Sequence, residues 1–293
     1  MNLFNDNFMP MLLSKQEKPF NDSHYLFEIK LDGIRALMFG SPKKIIIRNR
    51  KKQDITRRYP ELSNIKSIFK NKVIFDGEIV LFVNGLPSFE KLKKRILLEN
   101  INKILKYSKE LPIVFVAFDI LYEGKDLTTL PLIERKKILE KYPDTDYFIK
   151  SEYILGKGKQ LFEFVKKHNI EGIVAKRIDS TYQINKRSDD WIKIKNIDDD
   201  DFIILGYNEE ENNAMASLLF GKKIKNKLTL IGTVTIGKKK PDYQVILNHP
   251  KDNNPSITKE GYIPIIPTLE CTIEFIEKTE HGRLRQPKFK SLK

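Results

Sequence analysis

A lysine at the end of an apolar run is the first residue of this chain whose position suggests chemistry. Lys30 follows Tyr25–Ile29, which is typical of a buried strand, and Asp32 and Gly33 predict a tight turn into a returning strand from Ile34. A lysine held in this way is partly removed from water, which favours its neutral, nucleophilic form. An ordinary surface hairpin explains the same residues about as well.

Two acidic groups stand beside apolar runs further along the chain. Asp76-Gly77-Glu78 interrupts the strand-like run from Val73 to Val83, and Glu171 precedes the apolar segment Ile173–Ala175. A carboxylate at the end of a strand can bind a ribose hydroxyl or Mg²⁺, a cation that prefers oxygen ligands. Taken alone, the Asp-Gly-Glu segment is better explained as a turn.

An aromatic residue and a pair of lysines complete the set. Phe118 ends an apolar strand, where its ring could stack on a nucleobase, although such a residue usually belongs to the core. The run Trp191-Ile192-Lys193-Ile194-Lys195 alternates, so Lys193 and Lys195 share one strand face and can grip one phosphate. A solvated strand face would give the same pattern.

The order of these residues along the chain resembles motifs I, III, IIIa, IV and V of the ATP-dependent DNA ligases. The likeness is strongest to the small bacterial ligases, including the ligase module of ligase D, and it extends from Pro10 to Pro287. It includes the following segments: Asp54-Ile55-Thr56, Tyr59-Pro60-Glu61, Phe118-Asp119-Ile120-Leu121-Tyr122, Ser180-Thr181-Tyr182 and Arg187-Ser188-Asp189-Asp190-Trp191.

The resemblance implies a role for each residue. Lys30 would attack the α-phosphate of ATP and carry AMP, which would pass to a 5′-phosphate at a nick before the adjacent 3′-hydroxyl attacks. Mg²⁺ or Mn²⁺ would be held by Glu78 and Glu171, and Glu78 would alternatively bind ribose. The other implied nucleotide-binding residues are Glu28, Ile29, Arg35, Arg50, Phe118, Lys193 and Lys195, and the implied supporting residues are Asp32, Gly33, Arg187 and Trp191.

The elements that must position these residues divide the chain in two. Residues 1–197 mix strands with predicted helices near Tyr59–Phe69, Phe89–Leu97, Leu132–Lys141 and Leu161–Val165, which predicts an α+β domain. The resemblance implies that this domain is the nucleotidyltransferase (adenylation) domain. The acidic run Asp198–Asp201 marks the boundary. Residues 198–293 are predicted to form an all-β oligonucleotide-binding (OB-fold) barrel. Its strands are predicted at Phe202–Tyr207, Ser217–Phe220, Leu228–Ile236, Gln244–Leu247 and Leu269–Ile276.

Composition limits the class of protein. The 293 residues carry a formal net charge of +14, which favours a polyanionic partner such as nucleic acid, although a lysine-rich proteome would give the same excess. The single cysteine, Cys271, excludes an intramolecular disulfide and a cysteine-based zinc cluster. Without an evident signal peptide or membrane-length apolar run, we expect a cytoplasmic, nucleoid-associated monomer.

Two departures from the family pattern bear on activity. The chain begins 29 residues before Lys30, so we expect a minimal ligase without the large N-terminal DNA-binding domain. The tail after Pro287 stops where the family's motif VI, Arg-x-Asp-Lys, should begin. Either Lys290 or Lys293 substitutes for that motif, or the enzyme adenylates itself slowly.

Other functions compete with this interpretation. An mRNA-capping guanylyltransferase or an RNA ligase would share motif I, but the Tyr59-Pro60-Glu61 segment and the run from Arg187 to Lys195 favour a DNA ligase. A basic DNA-binding protein that has lost catalysis would explain the short tail. The expected partner is nicked duplex DNA, with a Ku-type end-binding protein or a repair polymerase as further candidates.

Overall fold

The chain forms two compact units in the computed structural model, which describes residues 3–208, 214–276, 278 and 282–293. The first unit is Met1–Asn196 and the second is Ile197–Lys293. Each unit is described by itself. Within the described residues, no helix combines the length and apolarity needed to cross a bilayer.

The first unit is built mainly of strands. In chain order they are β1 (Leu12–Gln16), β2 (Tyr25–Ile29), β3 (Ile34–Gly40), β4 (Ile45–Asn49), β5 (Val73–Val80), β6 (Phe82–Val83), β7 (Leu86–Pro87), β8 (Val114–Glu123), β9 (Phe148–Lys150), β10 (Tyr153–Leu155), β11 (Gly172–Arg177) and β12 (Arg187–Lys195). Sheet I has the order β1-β12-β11-β2-β10, sheet II has the order β4-β3-β5-β8-β9, and β6 pairs with β7.

The strands on either side of Lys30 belong to different sheets. β2 pairs with β10 and β11 in sheet I, whereas β3 pairs with β4 and β5 in sheet II. The predicted hairpin is therefore wrong, and the connection from Lys30 to Gly33 crosses between sheets. Both arrangements give the same local pattern of strand, turn and strand, so the sequence could not separate them.

The segment Asp76-Gly77-Glu78 lies inside β5 rather than in a turn, which corrects the interpretation favoured for it alone. The register of β5 against β8 shifts between Asp76 and Gly77. A side chain on Gly77 would lie 2.6 Å from the ring of Phe115 and from the carbonyl oxygen of Val116. Glycine is required there by this close approach of β8, and this requirement gives the segment its turn-like composition.

The helices of the first unit are α1 (Phe89–Ile96), α2 (Ile101–Glu110), α3 (Leu132–Leu139) and α4 (Gly158–Lys167). The segment predicted near Tyr59–Phe69 forms a 3₁₀ helix, Pro60–Ile68, which buries Leu62 and Ile65. Helix α2 was not predicted from the sequence.

Successive residues of strand β2 point into different hydrophobic cores. Leu26 of sheet I packs with Leu37 and Phe39 of sheet II in a core shared by both sheets. Phe27, on the opposite face, packs against Leu161 of α4. Glu28 and Lys30 follow Leu26 at even spacing, so their side chains point toward the space between the sheets.

The second unit contains strands β13 (Asp198–Asn208), β14 (Met215–Ile224), β15 (Lys227–Gly237), β16 (Ile263–Pro264), β17 (Glu270–Phe275) and β18 (Lys288–Leu292), with helix α5 (Pro241–Leu247). The sheet order is β15-β14-β13-β17-β18, and β16 pairs with β13. Among the described residues this order runs from one edge to the other without closing into a barrel.

One strand predicted for this unit is wrong. Gln244–Leu247 is the end of helix α5, which Pro241 begins and which buries Tyr243 and Ile246 three residues apart. The acidic run Asp198–Asp201, at which the sequence predicts the boundary, begins β13, and the first unit ends at Asn196.

The strand tolerates this run because lysines face it. Lys222 and Lys278 lie 2.7 and 2.9 Å from Asp200. Burial opposes ionisation of Asp200, but these hydrogen bonds outweigh it and lower the pKa to about 2. Lys290 pairs with Asp199 and Lys293 with Asp201, so both tail lysines have acidic partners within their own unit.

Candidate active site

A cavity of about 500 Å³ opens in the first unit between the two sheets. It has the size expected of a small-ligand site. The predicted site residues that line it are Glu28, Ile29, Lys30, Gly33, Arg35, Arg50, Glu78, Phe118, Arg187, Trp191 and Lys193.

Lys30 is fixed at both backbone and side chain. Its amide donates to the carbonyl of Gly172, and its Nζ donates to Glu171 Oε2 at 2.6 Å. Glu171 Oε1 lies 3.0 Å from Lys195 Nζ, so one carboxylate bridges two amines. The Lys30 side chain is 20% exposed, against 5% for Glu171. The lysine is therefore rigid and still accessible from the cavity.

Lys193 lies on the same strand as Lys195 and faces the cavity. In β12, the register places Lys193 beside Val174 and Lys195 beside Gly172, next to the carboxylate of Glu171. Desolvation lowers the pKa of Lys193, and the positive charges of Lys195 and Lys30 lower it further. Such a cluster of amines matches an anionic ligand such as a phosphate.

Arg35 is held by a buried network. Its Nε and Nη2 each donate to Asp76 at 2.6 Å, and Nη2 also donates to the carbonyl of Met11. Tyr182 donates to Asp76 Oδ2 at 2.5 Å. Desolvation opposes the charge of Arg35, but Asp76 outweighs it, so the pKa of Arg35 is raised. This network fixes the guanidinium against the cavity wall.

Glu78 lies opposite Arg35 in the register of β3 and β5 and lines the cavity. Desolvation raises its pKa to about 7, even though Arg35 and Lys30 favour the charged form. A bound cation would reverse that balance by stabilising the carboxylate.

Phe118 and Trp191 form the aromatic wall. Their rings meet edge to face with centroids 6.3 Å apart, and the Arg35 guanidinium lies 4.5 Å from the Phe118 centroid. Phe118 is 9% exposed and Trp191 is fully buried. Phe118 therefore belongs both to the core and to the cavity wall.

Glu28 forms a buried ion cluster that sequence reasoning missed. Lys136 of α3 pairs with its Oε1, and Lys176 of β11 lies 2.6 Å from Oε2. The amine of Lys176 also lies 4.3 Å from the Phe118 ring and 4.1 Å from the Trp191 ring. Desolvation lowers the pKa of Lys176 to about 8, although Glu28 opposes this. In the sequence, the only indication of a role for Lys176 was its position at the end of the Glu171–Lys176 segment.

The remaining predicted residues are more peripheral. Arg50 lies in the turn after β4 and is exposed at the cavity rim, whereas Arg48 stacks on Phe39 with 4.6 Å to the centroid. Arg187, also exposed, donates to the carbonyl of Leu13. Asp32 lies in the connection between β2 and β3.

The residues present are suited to a nucleoside triphosphate and a hard divalent cation. The amines of Lys30 and Lys193 line one part of the cavity wall. The rings of Phe118 and Trp191, with the Glu28–Lys176 pair, form another part. Mg²⁺ is usually bound by one or two carboxylates together with substrate phosphates, a donor set that Glu78 and Glu171 could supply. Among the residues that the structure describes, no group of three or more acidic, histidine or cysteine side chains gathers as a metal site.

A family model for the ATP dependent DNA ligase domain matches residues 10–195. The SPbeta prophage-derived DNA ligase-like protein LigB of Bacillus subtilis is 32% identical over 96% of this chain and 97% of its own length. The multifunctional non-homologous end joining protein LigD of Mycolicibacterium smegmatis is 28% identical over 98% of this chain. The matched region is only 38% of that LigD.

Solved structures agree with these relatives. The ligase domain of M. tuberculosis LigD is 27% identical, with a TM-score of 0.61 over 99% of this chain and 96% of that one. A structure of Lig E DNA ligases, at 19% identity and a TM-score of 0.64, shares the fold. The chain belongs to the ATP-dependent DNA ligase family, whose general reaction is the sealing of nicks in DNA.

Proposed function

We propose that Lys30 is the residue that carries AMP and that the chain seals nicked duplex DNA through this adduct. The observation that carries the proposal is the position of Lys30 Nζ, which is exposed to the cavity and 2.6 Å from Glu171. In the first step the amine attacks the α-phosphorus of ATP, a phosphoramide bond forms and pyrophosphate leaves.

Different residues around Lys30 bind the base, the ribose and the α-phosphate of the nucleotide. Phe118 and Ile29 contact the base, Glu28 and Lys176 read its polar edge, and Glu78 binds ribose. Lys193 and Lys195 neutralise charge on the α-phosphate as it develops. Arg35, Asp32, Gly33 and Trp191 support this geometry without reacting.

Glu78 and Glu171 are the residues we assign to Mg²⁺ or Mn²⁺. The ion would neutralise phosphoryl oxygens without a histidine or cysteine ligand. Glu171 would supply an oxygen ligand to that ion, and its contact with Lys30 Nζ at 2.6 Å holds the amine in place.

DNA enters in the second and third steps. The 5′-phosphate at a nick takes AMP from Lys30, and the adjacent 3′-hydroxyl then displaces AMP to close the backbone. Arg50 and Arg187 contact AMP or the 5′-phosphate at the rim, and the net charge of +14 supplies affinity for the duplex.

The cellular role that the relatives suggest is DNA repair by end joining. LigD is named a non-homologous end joining protein, and this chain corresponds to its ligase part. We therefore place the protein in the cytoplasm at the nucleoid, acting as a monomer, with a Ku-type protein or a repair polymerase as its partner.

A sealing assay tests the proposal with a nicked duplex and ATP, NAD⁺ or no nucleotide, beside a pre-adenylated nick. We expect sealing with ATP but not NAD⁺, and sealing of the pre-adenylated nick without nucleotide. If only the pre-adenylated nick is sealed, self-adenylation is the impaired step. Binding of DNA with no sealing of any substrate would contradict the proposal.

A further inference from the structure

A lysine outside the cavity wall is buried against Glu28, two residues before Lys30. Lys136 of α3 has a side chain only 2% exposed, and it pairs with Oε1 of Glu28, whose side chain is 3% exposed. The other oxygen of Glu28 faces Lys176, which lines the cavity. Burying a charged lysine is costly unless its partner is fixed, so this arrangement constrains Glu28 strongly.

The position of Lys136 is itself determined by its helix. The neighbouring Arg135 donates twice to the buried Asp119 of β8, at 2.8 Å each. The amides of Leu132 and Ile133 donate to the carbonyls of Ser180 and Ile178 beyond β11. Helix α3 is thus attached to β8 and to the segment after β11, which fixes the backbone of Lys136 relative to Glu28.

The pair that faces the cavity has a definite hydrogen-bonding polarity. An ionised Glu28 only accepts hydrogen bonds, and a charged Lys176 only donates them. Adenine presents a 6-amino donor beside the N1 acceptor, whereas guanine and hypoxanthine present a 6-oxo acceptor beside an N1–H donor. When Glu28 faces position 6 of the purine and Lys176 faces N1, the pair complements the first pattern and opposes the second.

We infer that Lys136 is a positioning residue for base selection, which holds Glu28 as an ionised acceptor beside Lys176 so that the site accepts 6-aminopurine and rejects 6-oxopurine nucleotides. This inference rests on the proposed function, in which the cavity binds the nucleotide that loads Lys30. Lys136 touches neither nucleotide nor metal and acts only through Glu28.

The test is enzyme labelling by α-labelled ATP, ITP and 2,6-diaminopurine riboside triphosphate. ITP has the 6-oxo edge without a 2-amino group, and the diaminopurine has the 6-amino edge with one. The wild type should use ATP and the diaminopurine nucleotide with a much higher kcat/KM than ITP. Lys136→Met should lower the ATP:ITP ratio of kcat/KM about tenfold, mainly through the KM for ATP.

Three variants identify the cause. Lys136→Arg should restore the ratio to within about twofold, because it keeps the charge on Glu28. Lys137→Met, on the next and exposed residue of α3, should change nothing. Adding Lys136→Met to Glu28→Gln should cost no further selectivity, because the lysine acts through that carboxylate.

The inference is overturned if Lys136→Met unfolds cooperatively yet keeps the wild-type ATP:ITP ratio within about twofold, or if Lys137→Met shifts it equally. Should Lys136→Met fail to fold, Lys136→Gln decides by the same ratio, because its neutral amide fills the site without the positive charge that keeps Glu28 ionised. Labelling of the wild type by ATP is a separate result. If it fails, the proposed function fails; if it succeeds with an unchanged ratio, only the role of Lys136 fails.

Discussion

Glu78 is the carboxylate at this site whose charge the protein opposes most clearly. Desolvation raises its pKa to about 7, while the two guanidinium nitrogens of Arg35 described above are engaged by Asp76. A group whose pKa is raised on folding stabilises the fold while it is protonated and loses that contribution as pH rises from its unfolded pKa to its folded one. Glu78 thus destabilises the folded state near neutral pH, as expected of a group kept for binding a cation.

Glu78→Gln should therefore stabilise the protein at pH 8 more than at pH 5. The difference is bounded by about 3 kcal/mol, since each pKa unit corresponds to 1.36 kcal/mol. Thermal unfolding at the two pH values measures it, and ATP labelling should fall in the same variant. Glu90→Gln, on the exposed face of α1, is the matched control and should show no pH-dependent difference. An equal change at both pH values, or full labelling by Glu78→Gln, would contradict this role.

The sequence predicted the residues of the cavity wall better than it predicted the buried ion pair of Lys136 and Glu28 behind that wall. Lys30, Glu78, Phe118 and Lys193 each stood at the end of an apolar run or alternated within one, and all four line the cavity. Lys136 gave no such signal, because a lysine on a helix is normally solvated. Its pairing with Glu28 depends on two segments 108 positions apart, which only the fold brings together.

The connection between β2 and β3 is the element on which the site depends. It carries Lys30 from sheet I to sheet II and places Gly33 against β5. A Cβ on Gly33 would overlap the carbonyl oxygen of Ile79 and lie 2.9 Å from Cγ of Glu78. The glycine is needed for this close approach, which brings Lys30 and Glu78 to one cavity.

Gly33→Ala should destabilise the protein by about 1–3 kcal/mol, because the obstacle is backbone and cannot rotate away. ATP labelling should fall by more than stability explains, since relief of the overlap displaces Glu78. Gly232→Ala, where the nearest side-chain atom would be 3.5 Å from the new Cβ, is the control. Urea unfolding and labelling of both variants provide the comparison. Wild-type labelling by a folded Gly33→Ala variant would show that the close approach does not matter.

Helices and strands with one apolar face could be predicted from the sequence. The sequence was ambiguous where the structure depends on pairing between distant strands. Strands β2, β3, β5, β8, β11 and β12 and helices α1, α3 and α4 follow from apolar runs and periodicity, whereas β1, β9 and β10 were not predicted. The crossing at Lys30 and the strand at Gly77 do not, because a sheet change and a close backbone approach leave turn-like residues in the sequence. A strand was predicted at Gln244–Leu247 from its apolar residues alone. Pro241, which marks the start of a helix, was not taken into account.

At the scale of the whole molecule, charge is the property that sequence alone determines. With a net charge of +14, binding to duplex DNA should be dominated by phosphate contacts and should weaken steeply with salt. The chain forms two compact units, and the cavity is lined by residues of the first.

Arg50→Gln should reduce the slope of log affinity against log salt by about 0.9 if it contacts one phosphate of duplex DNA. Fluorescence anisotropy with a nicked duplex at several salt concentrations gives the slope. Lys109→Gln removes an exposed charge of α2 away from the cavity wall and should leave the slope nearly unchanged. Equal slopes for wild type and Arg50→Gln would remove Arg50 from the DNA contact.

The role of Lys30 is tested most directly by the covalent adduct itself. Purified wild type, Lys30→Ala, Lys30→Arg and the control Lys109→Ala are incubated with α-labelled ATP and Mg²⁺ or Mn²⁺, and the labelled peptide is identified by mass spectrometry. We predict acid-labile AMP on Lys30 in the wild type and in Lys109→Ala, and no adduct in either Lys30 variant. An AMP adduct that persists in Lys30→Ala, or that maps to another lysine of the wild type, would contradict the account.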